Sequence, residues 1–249
     1  SLLSNTTADN NTAIGDSSLD ANTTGTSNVA VGVDALGANT TGANHTAVGV
    51  NALNTNTTSS DNTAVGRCAA YTNTTGSCLV AIGNNALKFN TTANANVAVG
   101  RDAMCSTTTG ANNVAVGYGT LCKNTTGADN VAMGTDALTA NTTASGNTAI
   151  GQLSLCANTT GTRNTAVGVS SLMANITAND NTAVGRCALR KTTAAGNTAI
   201  GKDALICNTT GASNTSMGKY SLAANTTGEG NIGIGNYGGE YNTTGNRNI

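Results

Sequence analysis

The chain has 249 residues, a formal net charge of −1, 9% charged residues, 2% aromatics and no proline. Leu, Ile, Val and Phe together number 40, about 16% of the chain, which is too few for a conventional core on the usual scale of about 20%. The near-zero net charge denies disorder its electrostatic half, so the composition points to one small unit copied many times.

The unit is plain. A pentapeptide of the Asn-Thr-Ala-Val-Gly type ends at Gly15 and at every seventeenth residue from Gly32 to Gly185, then at Gly201, Gly218 and Gly235. The step from Gly185 to Gly201 is 16 residues. With the pentapeptide as positions 1–5, Ala-Leu follows at 8–9 and Asn-Thr-Thr, then Gly or Ala, at 12–15. The short copy reads as lacking its position-12 Asn, with Lys191 running into Thr192-Thr193. Leu2 holds position 9 and Asn248-Ile249 begin another unit, so residues 1–249 read as a single continuous repeat array cut from a longer fibre.

Helical repeats need about 33 residues or more, whereas 17 suit one coil of a β-solenoid. The expectation is therefore an all-β parallel β-roll of about 14–15 coils without a helical domain, on the order of 70 Å long at ~4.8 Å per coil. The missing proline fits, because nearly every strand N–H is needed in the ladder. Two strands per coil are predicted. In the first, positions 2 and 4 point to one face and position 3 to the other. With 2 and 4 facing inward, the column Ala13, Ala30, Ala47, Ala64, Ala81, Ala98, Ala115, Ala132, Ala149, Ala166, Ala183 and Ala199 faces outward. A strand apolar on both faces is covered on both, which makes this column the candidate packing stripe between rods, three around one axis being the simplest arrangement.

The second strand is predicted over positions 8–14, with Leu19, Leu36, Leu53, Leu87, Leu138 and Leu205 filling the interior at position 9. Asn-Thr-Thr then recurs at Asn5, Asn22, Asn39, Asn56, Asn73, Asn90, Asn124, Asn141, Asn158, Asn208, Asn225 and Asn242, with Asn175-Ile176-Thr177 as a variant. Two readings stand side by side. Stacked identical Asn or Thr side chains form hydrogen-bonded ladders, and the same tripeptide matches the acceptor pattern for N-linked glycans, which would coat and solubilise a fibre. Further acceptor matches lie at Asn10, Asn44 and Asn214.

Asn-Val-Ala-Val-Gly at 28–32, 96–100 and 113–117 resembles the short repeats of YadA-like adhesin heads. The Ala-Leu and Asn-Thr-Thr-Gly continuation is similar to arrays in fibre proteins of phages, giant viruses and aquatic bacteria. The resemblance implies a left-handed, trimeric β-roll in a surface fibre or adhesin, extracellular or on a virion or cell surface.

Chemistry-bearing residues are sparse. The seven cysteines are scattered over four positions, and only Cys105 and Cys122 share position 10 in adjacent coils, where ~4.8 Å between coils falls within disulfide range. His45, the lone histidine, merely replaces Asn at position 1. No metal or cofactor motif is present, no catalytic residue stands out, and no run approaches the ~18 apolar residues of a membrane span. Arg186, Lys202 and Lys219 share position 6, too little for a nucleic-acid stripe. The expected function is a structural shaft, self-associating as a homotrimer or end to end. The alternative is an adhesin binding cell-surface carbohydrate through Phe89, Tyr220, Tyr237 and Tyr241; ice binding through Thr columns ranks below both.

Overall fold

The structure, a computed structural model, describes residues 2–249. They are all-β, without an α-helix, and fall into two compact units, up to Ala128 and from Asp129 onward. The first unit carries seven strands: β1 (Thr12–Ile14), β2 (Val29–Val31), β3 (Thr46–Val48), β4 (Thr63–Val65), β5 (Val80–Ile82), β6 (Val97–Val99) and β7 (Val114–Val116). The second carries β8 (Val131–Met133), β9 (Thr148–Ile150), β10 (Thr165–Val167), β11 (Thr182–Val184), β12 (Thr198–Ile200), β13 (Thr215–Met217) and β14 (Ile232–Ile234). Within each unit every strand pairs in parallel with the next, like over like: Ala30 lies opposite Ala47 and Ala166 opposite Ala183. The chain is a β-solenoid that winds once per 17 residues.

The strand faces are the reverse of the expectation. Ala30, Ala47, Ala64, Ala81, Ala98 and Ala115 in the first unit, and Ala132, Ala149, Ala166, Ala183 and Ala199 in the second, are fully buried inside their own coils, and Ala13 is half-buried. This column therefore is not a stripe between rods. Positions 2 and 4 point outward instead: Ile82, Met133, Ile150 and Ile200 are each about 40% exposed. The cause is volume. A 17-residue coil already encloses Ala at positions 3 and 8, Leu at 9 and Asn at 12 and 1, all buried, and a second branched side chain on the inner face of the strand would overfill it.

The second predicted strand is also replaced. Each coil has one three-residue strand, and positions 6–12 form tight turns. In the second coil, Ala35 N–H donates to Gly32 O at 3.3 Å, Gly37 N–H to Asp34 O at 3.3 Å and Asn39 N–H to Leu36 O at 3.1 Å. Asp34 and Leu36 sit third in the first two turns with φ of 57° and 52°, the left-handed conformation of a type II turn. That conformation recurs at positions 7, 9 and 17 of nearly every coil, and no Val, Ile or Thr stands at any of them, because β-branched residues resist it. The position-9 leucines nonetheless reach the interior as predicted: Leu19, Leu36, Leu53, Leu87, Leu138 and Leu205 are fully buried, about 2 kcal/mol of transfer free energy each.

The glycine at position 5 closes the strand. At Gly168, φ is 132° and a Cβ would meet the Gly185 carbonyl carbon and oxygen at 2.6 Å each. Any side chain there collides with the backbone of the next coil.

The 16-residue coil is resolved differently from the sequence reading. Thr192 occupies position 12, fully buried, its N–H donating to Leu189 O at 3.3 Å as the Asn N–H does elsewhere. Gly196 N–H donates to Asn179 O as a position-17 residue. The lost residue therefore belongs to the outer turn at positions 14–15.

Candidate functional site: the asparagine ladders and the coil surface

Position 12 builds a ladder inside each unit. Asn39 Nδ2 donates to Asn22 Oδ1 at 2.9 Å, Asn56 to Asn39 at 3.0 Å and Asn73 to Asn56 at 3.0 Å. The second unit repeats it, with Asn158 to Asn141 at 3.1 Å and Asn225 to Asn208 at 3.0 Å. The other Nδ2 hydrogen goes to the position-15 carbonyl three residues on, as Asn39 to Gly42 at 3.0 Å.

A second Asn column, at position 1, has a different pattern. The Asn28 Oδ1 accepts the backbone N–H of His45 at 3.0 Å, and Asn28 Nδ2 donates to Gly42 O at 2.9 Å. The position-15 carbonyl thus collects both amides, and each position-1 side chain satisfies a backbone N–H of the next coil. Position 13 adds a third line: Thr40 Oγ1 donates to Thr57 O at 3.1 Å and Thr209 Oγ1 to Thr226 O at 3.0 Å. The sequence reading held an Asn or Thr ladder along the Asn-Thr-Thr tripeptide as one alternative, and did not single out the position-1 Asn column. Its signal was present in the Asn that opens nearly every pentapeptide.

His45 shows how strictly position 1 is defined. Its Nδ1 accepts the Asn62 N–H at 3.2 Å, which puts the ring proton on Nε2, donating to Ser59 O at 2.7 Å. The neutral imidazole thereby reproduces both roles of an Asn amide. Burial holds its pKa below the ordinary 6.5.

These ladders overturn the glycan reading at most acceptors. Asn22, Asn39, Asn56, Asn73, Asn90, Asn124, Asn141, Asn158, Asn175, Asn208 and Asn225 are fully buried, and a sugar on Nδ2 would remove a laddered hydrogen and force the amide out of the coil. Asn214 is buried likewise, in the position-1 column. Only Asn5, exposed, and Asn242, half-buried, stand differently among the position-12 residues.

The ladder breaks where Asn is replaced. Asn90 Oδ1 and Thr107 Oγ1 face each other's coil without a hydrogen-bond partner, and Asn175 Oδ1 lacks one beneath Thr192. Asn181 Nδ2 is also unpaired, because the short coil has lost part of the turn that supplies its carbonyl. Burying such groups costs about 1–3 kcal/mol each.

Cys105 and Cys122 are free thiols in the structure rather than a disulfide. Burial first, and the neighbouring Cys122 second, push the Cys105 thiol up to about 11. Among the described residues no three His, Cys, Asp or Glu groups are placed to hold a metal, and no helix is long and apolar enough to cross a membrane. Of the predicted aromatic contacts, Tyr220 and Tyr237 come together, their rings stacked with centroids 5.3 Å apart. Phe89, 45% exposed with Lys88 over its ring, and Tyr241, 87% exposed, are not part of that pair.

The outer face is the remaining feature. Position 4 is Val, Ile or Met in all fourteen strands, although it is partly solvent-exposed, and position 2 is Thr, Val or Ile. No charged residue occurs at either. This is the architecture of a repetitive, fibre-like protein, with asparagine ladders inside and an apolar band along one part of the outer surface. Compared with known protein families, curated proteins and solved structures, the chain finds no match.

Proposed function

We propose that the chain is a structural shaft, part of an extracellular or virion-surface fibre, whose coils associate with further copies of themselves through the outer band of positions 2 and 4. The observation that carries this reading is the chemistry of position 4. Positions 6, 7, 10 and 11 drift freely among Val, Arg, Asn, Tyr and Asp, whereas position 4 never accepts a polar residue in fourteen strands. β-propensity alone would admit Thr there, as it does at position 2. A band of apolar side chains repeating at ~4.8 Å is matched along its whole length only by another surface of the same period, and a second copy of this chain supplies one. The resemblance to YadA-like heads and fibre arrays supports the same reading, and three copies is the number which that resemblance implies.

The test is the mass of the purified chain in solution by light scattering, together with electron microscopy. The expected result is a discrete multimer, converted to 24.4 kDa monomers by Val48→Glu with Val99→Glu while the β-type circular dichroism persists. A wild-type chain that is monomeric throughout the concentration range would sink the proposal.

A further inference from the structure

Charge is distributed unevenly along the chain. Between 181 and 228 stand five of its eleven Lys and Arg residues, accompanied by one carboxylate, Asp203, in a chain whose net charge is −1. Three of the five, Arg186, Lys202 and Lys219, occupy position 6 of successive coils. Backbone bonds fix that register: Asp203 N–H donates to Arg186 O at 2.9 Å, Tyr220 N–H to Lys202 O at 3.0 Å and Tyr237 N–H to Lys219 O at 2.9 Å. Like charges stacked in the turns of adjacent coils repel, and the neutralisation is incomplete. Asp203, almost wholly buried, lies 3.7 Å from both the Arg186 guanidinium and the Lys202 ammonium. Lys219 has no carboxylate partner among the described residues.

Beside this column the Tyr220 and Tyr237 rings stack at 21°. The ammonium groups of Lys219 and Lys202 lie 5.0 and 5.6 Å from the Tyr220 centroid. Packing against an aromatic face holds a cation in place without discharging it.

We propose that this cation–tyrosine column of the second unit, built on Arg186, Lys202, Lys219, Tyr220 and Tyr237, is a binding site for an acidic polysaccharide, one carrying sulfate or carboxylate on successive sugars. Three observations favour that ligand. The cations form a straight row rather than a pocket, which suits an extended polymer over a small anion. Their spacing, one coil or ~4.8 Å, is on the scale of one sugar ring in an extended glycan. The Tyr220 ring is packed by Tyr237 and the lysines, so the column offers a single open ring, Tyr237, 46% exposed, rather than a run of platforms for successive nucleobases. The site stands on these residues alone and is independent of the shaft reading.

The experiment is titration of the purified full chain with heparin, with neutral dextran and with poly(dT), at low and physiological salt. Heparin binding is expected, with dextran inert and poly(dT) weaker. Lys202→Gln with Lys219→Gln should weaken heparin by about tenfold or more, the equivalent of one or two charge-assisted contacts, and Tyr237→Phe by less. Lys202→Arg with Lys219→Arg keeps the charge and should keep the affinity, which separates lost binding from lost fold. The proposal is overturned if the Gln variant binds heparin as the wild type does. It is equally overturned if Lys88→Gln with Lys123→Gln in the first unit costs as much, or if poly(dT) outcompetes heparin.

Discussion

Two neighbouring coils of the second unit differ by one residue. The coil from Asn164 to Asp180 has 17 residues and a complete turn at positions 12–15, with Asn175 Nδ2 bonded to Asn158 Oδ1 at 3.2 Å and to Ala178 O at 3.0 Å. The coil from Asn181 to Gly196 has 16, keeps its strand, its Gly185 and its buried Leu189, and gives up the outer turn. Its cost is local: Asn175 Oδ1 and Asn181 Nδ2 are left unpaired, while Thr192 Oγ1 still accepts Asn208 Nδ2 at 3.0 Å. The coil is thus rigid where backbones nest and forgiving where the chain loops outward.

The sharpest way to break this contrast is Gly168→Ala, which places a methyl against the Gly185 carbonyl and should cost about 4 kcal/mol or more, read as a large fall in the urea midpoint. Next is Asn158→Leu, which removes donors to Asn141 Oδ1 and Gly161 O and the acceptor of Asn175. A loss of about 3 kcal/mol is expected, with Asn158→Thr milder because Thr192 at the same position still accepts Asn208 Nδ2. Thr192→Asn should run the other way, giving Asn175 Oδ1 a donor and raising stability by about 1 kcal/mol; restoring a Gly after Ala194 should add to it by returning a carbonyl to Asn181. The smallest effect concerns pH. Burial keeps His45 neutral below its ordinary 6.5, so as pH falls through 6.5 the unfolded chain takes up a proton that the folded chain refuses, and stability declines. His45→Asn should flatten acid-side melting curves relative to wild type.

The winding, its period and the leucine interior at position 9 were legible because identical residues recur at a fixed step. Which strand face looks inward was not. Alternation separates Ala30 from Val29 and Val31 but leaves open which side is inside; only the room within a 17-residue coil decides it. The turns at positions 6–12 were hidden by the Leu column, which resembles strand alternation, although the absence of β-branched residues at 7, 9 and 17 marks them. Asn-Thr-Thr spells a glycan acceptor and a ladder with the same letters. Thr192, which ends the acceptor pattern yet still accepts Asn208 Nδ2 inward, is what separates the two.

In both Asn columns the later coil gives and the earlier coil receives: Asn39 Nδ2 to Asn22 Oδ1, His45 N–H to Asn28 Oδ1. The side-chain dipoles therefore all lean the same way, and each unit has a leading and a trailing end that are chemically distinct. Within a unit, the face of a coil that meets its successor presents the Asn side-chain oxygens, and the face that meets its predecessor presents the side-chain N–H of position 12. The Thr hydroxyls run the opposite way, Thr40 Oγ1 donating to Thr57 O of the coil that follows, so each face of a coil carries its own fixed mixture of donors and acceptors.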